Sequence, residues 1–479
     1  MKFQHQLIYI AGFLALVSCS DLLEENPKTV AVENFYNTAE EVEAAVNAIY
    51  SPLRSTRAEQ IVILDTHTDW GYGRGSRAQY NDFAGLNATN TNTAGSRWDS
   101  FYLAIRNANL VIKNAPSGTD ISQDDIAYYT AEAKFLRAMA YFDLVRNWAG
   151  VPMRTENTME EIDLPRSSEE EIYQLIIDDL IFAEANLPEV AKNQGRPTLY
   201  AAKTMLADVY MHRGNYELAS SKSKEVIDAE AFSLVPVSSI EDFQQNIYGA
   251  DLLNSSEEVF YLKYAREPGQ GNYILWILNH PSTGYFSFGG AYAHYADAQD
   301  PFYQEWDDAD IRKSMWDQVD FGLGATTIVS NKYIDPDAIS QSGAGNDLPI
   351  YRYAETLLLF AESDARAKGA PTAEAIEALN QVHRRAYGMN PTASSEIDLS
   401  FESGDLEAFI DAVLQEKAYE FIFEGKRWYD LKRTGKAAET ILEYRGKTIA
   451  EAHYLWPIPQ QEINFNGAIN PETDQNPGY

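Results

Sequence analysis

The sequence predicts a mainly α protein built from tetratricopeptide-type helical hairpins that carry long irregular insertions. Three observations support this. Apolar residues recur at helical spacing in one window after another along most of the chain. Residues 198–231 read as a helix pair split at Arg213-Gly214-Asn215, with Leu206, Ala207, Tyr210 and Ala219 fitting the large-and-small alternation of a tetratricopeptide unit, although Ser223 stands where that pattern has an aromatic residue. Two stretches, 65–98 and 260–316, lose all period and collect glycine, asparagine and aromatic side chains instead.

In chain order, residues 1–18 form a signal peptide: Lys2 is followed by an apolar run over 7–17 that is too short to span a bilayer. The run ends in Leu16-Val17-Ser18-Cys19, small residues before the single cysteine of the chain. Cys19 is therefore the expected lipidation site, anchored by acyl chains and not spanning, and a lone cysteine leaves no intramolecular disulfide. The mature protein is 19–479, with a helical scaffold over 34–231 and 350–433 and an extended, proline-punctuated tail over 454–479.

Within the scaffold, Phe35, Val42, Val46, Ile49, Tyr50 and Leu53 mark a first helix, opened by a capping box at Thr38 and Glu41. Helices follow over 98–113 and 126–148, then one opened by Ser168 with Glu171 and stopped at Pro188, then the pair already described. After the second irregular stretch they resume over 350–368, 372–387 and 406–433.

Composition excludes some partners. The 479 residues hold 71 acidic and 38 basic side chains, a formal charge of −33, so nucleic acid and anionic membrane surfaces are repelled at range. Seven scattered histidines make no HExxH-like pair, and Gly71, Gly73 and Gly75 precede no GK[ST], so neither a metal centre nor a phosphate loop is indicated and no cofactor is expected. Asp297, Asp300, Asp307, Asp308 and Asp310 match no EF-hand loop and read as a solvated acidic surface.

Residues 415–436, QEKAYEFIFEGKRWYDLKRTGK, place Glu416, Glu420 and Glu424 on one helical stripe. A glycosidase needs two carboxylates about 5–10 Å apart across a sugar cleft. The cations beside the stripe favour ion pairing over catalysis, with Glu424 to Arg427 and Lys426 to Asp430 as the local pairs.

Several blocks, in order, resemble the SusD/RagB family of outer-membrane nutrient-uptake lipoproteins. They are Ala131-Glu132-Ala133-Lys134-Phe135-Leu136-Arg137-Ala138 with Tyr141-Phe142-Asp143-Leu144-Val145-Arg146 and Gly150-Val151-Pro152, then Leu164-Pro165-Arg166-Ser167-Ser168, Gly195-Arg196-Pro197-Thr198, Arg352-Tyr353-Ala354-Glu355, the 415–436 stretch, and Trp456-Pro457-Ile458-Pro459. Lys417, where the family usually has arginine, and His383 depart from the pattern inside scaffold helices. The resemblance implies a SusD-like fold and a surface-exposed lipoprotein of the outer membrane that captures glycan, an oligo- or polysaccharide, for a SusC-like TonB-dependent transporter. It implies no enzyme.

Sugar sites pair flat aromatic platforms with polar and charged groups. The first insertion offers Asp69, Trp70, Tyr72, Arg77 and Asn81, and the second offers Trp276, Tyr285, Phe286 and Tyr292, with His294 and Tyr295 nearby. These nine lead as ligand-binding candidates, the rings as platform and Asp69, Arg77 and Asn81 as hydrogen-bonding groups. Trp98, Trp306 and Trp316 read as packing residues. The alternatives to glycan capture are a surface glycoside hydrolase using two of the three glutamates, a tetratricopeptide scaffold that binds protein, and a binder of peptides.

Overall fold

The computed structural model describes residues 35–82 and 91–479. The signal peptide, the lipidation site Cys19 and residues 83–90 of the first insertion lie outside the described residues.

Helices α1 (Ala39–Thr66), α2 (Thr91–Asn114), α3 (Gln123–Trp148), α4 (Glu169–Asn186), α5 (Leu199–His212) and α6 (Tyr216–Asp228) each pack on the next. α7 (Tyr353–Lys368) then lies on α6 and carries α8 (Ala373–Ala386) and α9 (Leu406–Glu420). The chain is thus a stack of antiparallel hairpins around one large apolar core. Both capping boxes read from the sequence form, Thr38 with Glu41 and Ser168 with Glu171. Ser223, out of pattern for a tetratricopeptide, is buried and donates to the Ala219 carbonyl within its own helix.

Several boundaries differ from expectation, among them that of α2, which starts at Thr91 inside the expected first insertion and not at Trp98. α1 continues to Thr66, well past Leu53, even though Pro52 lies inside it. A proline cannot donate to the carbonyl four residues back, and Asn107 Nδ2 donates to that orphaned Ala48 oxygen at 2.9 Å. The segment expected to start a helix at 350 instead begins as strand β6 (Leu348–Arg352), paired antiparallel with β2 (Glu258–Leu262). The helix expected over 406–433 breaks into α9 and α10 (Arg427–Arg433), followed by α11 (Ala437–Arg445). At the break Phe423 and Gly425 hold φ of 56° and 72°, and a Cβ on Gly425 would sit 3.2 Å from Leu64 of α1.

That break turns the glutamate stripe into the hub of a buried charge network. Arg352 contacts Glu420 at 2.7 Å and Glu424 at 2.8 Å. Arg312 contacts Glu416 at 2.7 Å, Glu420 at 2.9 Å and Asp310 at 2.6 Å. Arg385 bridges Glu257 at 2.6 Å to Glu420, and Lys332 meets Glu424 at 2.6 Å. The local pairs expected from sequence, Glu424 with Arg427 and Lys426 with Asp430, do not form. Arg427 binds Asp69, Lys426 binds Glu355, and Asp430 takes Lys417 and Arg433. Asp310, read as part of a solvated acidic surface, is buried in this network, and among the described residues no acidic cluster could hold a metal ion.

Removing one partner strands the others without water. Glu420→Gln is therefore expected to cost about 3–5 kcal/mol in urea unfolding, whereas Asp228→Asn, which breaks the exposed pair with Lys224, should cost under about 1 kcal/mol.

Burial raises the Glu420 carboxyl, but Arg385, Arg352 and Arg312 outweigh it and hold its pKa well below the ordinary range. Burial likewise opposes, and Arg352 with Lys332 or Lys417 with Arg433 overcomes, at Glu424 and Asp430. Carboxylates depressed in the folded state contribute stability that is complete above their unfolded pKa of about 4 and lost as pH falls toward the folded values. The thermal midpoint should hold near neutrality and drop steeply below about pH 4, which a pH series of melting curves checks.

Candidate functional site

The two irregular insertions, far apart in sequence, share one sheet. β1 (Tyr72–Gly73) pairs with β3 (His294–Asp297), which pairs with β5 (Thr327–Ser330), which pairs with β4 (Trp316–Gln318). The glycines of the first insertion permit close approach. A Cβ on Gly71 would lie 2.4 Å from the Asp65 oxygen, and one on Gly73 would collide with the Arg77 carbonyl. Asn81 acts as a strand edge here: its Oδ1 accepts from the Gly73 amide at 2.6 Å and its Nδ2 donates to the Gly73 carbonyl at 2.8 Å.

Alternation along the strands sorts the side chains. His294 turns inward, fully buried against Trp70 and Phe423. The next register pair, Tyr72 and Tyr295, is half-buried, and its rings stack at 5.4 Å with a 17° interplanar angle. Tyr292, His280 and Phe321 extend the array: Tyr292 lies 4.8 Å from His280 and 4.9 Å from Phe321, and Phe321 lies 5.8 Å from Tyr295. Two guanidiniums rest on it, Arg445 at 3.5 Å over Tyr72 and Arg74 at 4.1 Å over Tyr292. Burial raises both the Tyr72 phenol and the neighbouring Asp300 carboxyl.

A separate cleft of about 750 Å³ is lined by Arg54 and Glu59 of α1, Arg97 of α2, and Tyr264, Asn272 and Tyr273 of the second insertion. Tyr273 stacks on Trp276 at 5.0 Å. Glu59 accepts from Arg77 Nε at 2.9 Å and from Nη2, a bidentate pair along one edge of the guanidinium. Burial lowers the Arg97 pKa to about 10, which leaves it charged at neutral pH.

The sequence candidates divide accordingly. Tyr72 and Tyr292 belong to the aromatic array, while Trp276 and Arg77 stand behind the cleft wall through Tyr273 and Glu59. Tyr285 is half-buried beside Asp317, and burial followed by that carboxylate pushes its phenol up to about 12.

Trp70 and Phe286 are corrected to core residues, 1% and 3% exposed. Trp70 packs among Phe423, His294 and Trp316 and offers no face to a ligand. Asp69 is fully buried and occupied by Arg427 at 2.6 Å, and Asn81 is spent on the backbone of Gly73, so neither is available to hydroxyls. Trp98, Trp306 and Trp316 are buried, as expected of packing residues.

Sequence reasoning missed His280, Phe321 and Arg445 in the array and Arg54 and Tyr273 in the cleft. Asp320-Phe321-Gly322, an aromatic at a turn, was a usable signal; Arg445 closes helix α11 and gave none.

Two family models match the chain. Residues 285–479 match the SusD family, and residues 21–211 match a family described as starch-binding associating with outer membrane. A SusD-like protein of Formosa agariphila is 28% identical, with 99% of this chain and 100% of the relative covered. A SusD-like protein of Bacteroides ovatus is 29% identical over 57% of this chain and 49% of its own length. Among solved structures, a SusD homologue from Bacteroides thetaiotaomicron superposes with a TM-score of 0.79 at 20% identity, covering 94% of this chain and 98% of the other. Surface glycan-binding protein A of the same organism, in complex with laminarihexaose, superposes with a TM-score of 0.74 at 23% identity, covering 92% and 99%. With family models matched at both ends in order and relatives aligned along its whole length, the chain belongs to the SusD family.

Proposed function

We propose that this protein binds a glycan on the sheet-borne aromatic array and its adjoining cleft, and delivers it to a TonB-dependent transporter of the outer membrane while held there by lipid on Cys19. The observation that carries the reading is the array itself. Half-buried rings from both insertions are stacked and oriented in advance, with guanidiniums laid over Tyr72 and Tyr292, so a sugar meets a fixed aromatic and cationic surface with little entropy lost on binding. Arginine forks and the serine- and asparagine-lined cleft supply the donors and acceptors that hydroxyls require. The laminarihexaose complex of a structural neighbour supports a sugar ligand, and a further neighbour is a laminarin-binding SusD-like protein.

The reading is capture without cleavage. Glu416, Glu420 and Glu424, the glutamates a hydrolase would use, are buried and each is held by arginine or lysine within the scaffold. A glycosidase pair instead flanks an open sugar cleft.

The test is a glycan array followed by calorimetry on the full chain in detergent. Tyr72→Ala and Tyr292→Ala should each weaken the best glycan by about ten-fold or more, about 1.4 kcal/mol, with the melting temperature nearly unchanged. Trp70→Phe should instead lower the melting temperature and leave affinity intact. Unchanged affinity in both tyrosine variants would remove the array from the site, and sugar release by the purified protein would refute capture without cleavage.

A further inference from the structure

In a chain with 71 acidic side chains to 38 basic ones, a guanidinium easily finds a carboxylate, and most of the described arginines do. Arg54, Arg74 and Arg445 are among those that do not: among the described residues none of the three has a carboxylate within ion-pair distance. All three lie over tyrosine rings of the two candidate surfaces.

Arg54, at the cleft, is 4.8 Å from the Tyr264 centroid and donates to the side-chain and backbone oxygens of Gln270 at 2.7 and 2.6 Å. Its Nε is shielded from solvent and has no acceptor. Arg74 donates one long bond to the Ala291 carbonyl at 3.3 Å, and Arg445 donates to the Gly71 carbonyl at 2.8 Å. The acids that Arg445 feels, Asp300 and Asp69, act at a distance, and Asp69 is already bound by Arg427.

The cleft shows the same imbalance. Among its described lining residues the carboxylate is Glu59, already held through both oxygens by Arg77, while Arg54 also stands on the wall. Partial desolvation of cations is costly unless an anion compensates, and the planar fork of arginine matches a carboxylate or a sulfate through two parallel hydrogen bonds. The tyrosine beneath each guanidinium fixes its plane beforehand.

We propose that the ligand is an anionic glycan, and that Arg54 in the cleft, with Arg74 and Arg445 on the array, reads carboxylate or sulfate ester groups on its sugars. This rests on the glycan-binding reading above and sharpens it to a substrate class. The overall charge of −33 opposes any polyanion, so a measured preference for one has to come from local contacts.

The experiment compares matched polysaccharides by calorimetry on the full chain in detergent, at about 0.15 M salt, where charges beyond about 8 Å are screened and contact pairs are not. One pair is polygalacturonate and its carboxyl-reduced form; the other is a sulfated galactan and its desulfated form; laminarin is the neutral reference. In at least one pair the charged member is expected to bind about ten-fold tighter than its neutral partner. Arg54→Gln should abolish that preference, and Arg54→Lys should retain part of it. The pair that responds distinguishes carboxylate from sulfate. Equal binding within both pairs, or a preference that survives Arg54→Gln, overturns the proposal. Laminarin binding that is lost in Tyr72→Ala, without any charge preference, overturns this proposal alone. No binding by any of the five overturns the glycan reading with it.

Discussion

The contact of Arg352 with Glu420 and Glu424 is the interaction on which the rest of the architecture depends. Arg352 ends the strand that pairs with β2, Glu420 ends helix α9, and Glu424 lies in the turn beyond it. Through Arg385, Arg312 and Lys332 the same carboxylates reach α8, the segment before β4, and the residues after β5. Charges this deeply buried gain little net stability over a well-packed apolar core. What they impose is geometry, because each missing partner is expensive and only one arrangement of helices and insertion satisfies them all.

That constraint explains how a helical stack holds a sheet of short strands. β1 has two residues and β4 three, too little backbone pairing to be stable alone. The sheet is supported from below by its own apolar cluster, in which Trp70 and Phe423 touch each other and both Trp316 and His294, and Phe423 belongs to the turn that carries Glu424. Asp69, one residue before Trp70, is fastened to Arg427 of α10. The same few residues thus end the scaffold helix, close the charge network and form the floor beneath the aromatic array. Rings on a floor of this kind are held rigidly, as ligand recognition at low entropic cost requires.

The C-terminal tail is tied in by similar means. Trp148 Nε1 donates to the Pro457 carbonyl at 2.9 Å and its ring meets Trp456 at 4.9 Å. Asn476 Nδ2 donates to the Trp456 carbonyl at 2.6 Å, and Arg166 donates to Asn476 Oδ1 at 2.9 Å. The tail, expected to be extended throughout, carries a short helix (Gln460–Phe465) between irregular stretches, and side chains of the first hairpins satisfy backbone groups of those stretches.

The sequence by itself determined the helices, their order, the caps and the family, because amphipathic period, capping chemistry and turn residues are local properties legible within a dozen residues. It also marked two glycine- and aromatic-rich stretches as lacking a sustained period, although helix Thr91–Asn114 begins inside the first and a helical turn, Ile274–Leu278, lies in the second. Which face of those stretches meets solvent was decided by the tertiary structure alone. Tyr72 and Trp70 are two residues apart with similar composition around them, yet one is half-buried in the array and the other lies in the core. The difference comes from the pairing of β1 with β3 and the seat offered by Phe423, neither visible in the first insertion. Asp69 and Asn81 likewise had the right chemistry for hydroxyls, and long-range or backbone partners consumed it. The partners of the glutamate stripe were non-local for the same reason: a turn at Phe423 and Gly425 redirected the chain, and burial then selected cations from four other segments.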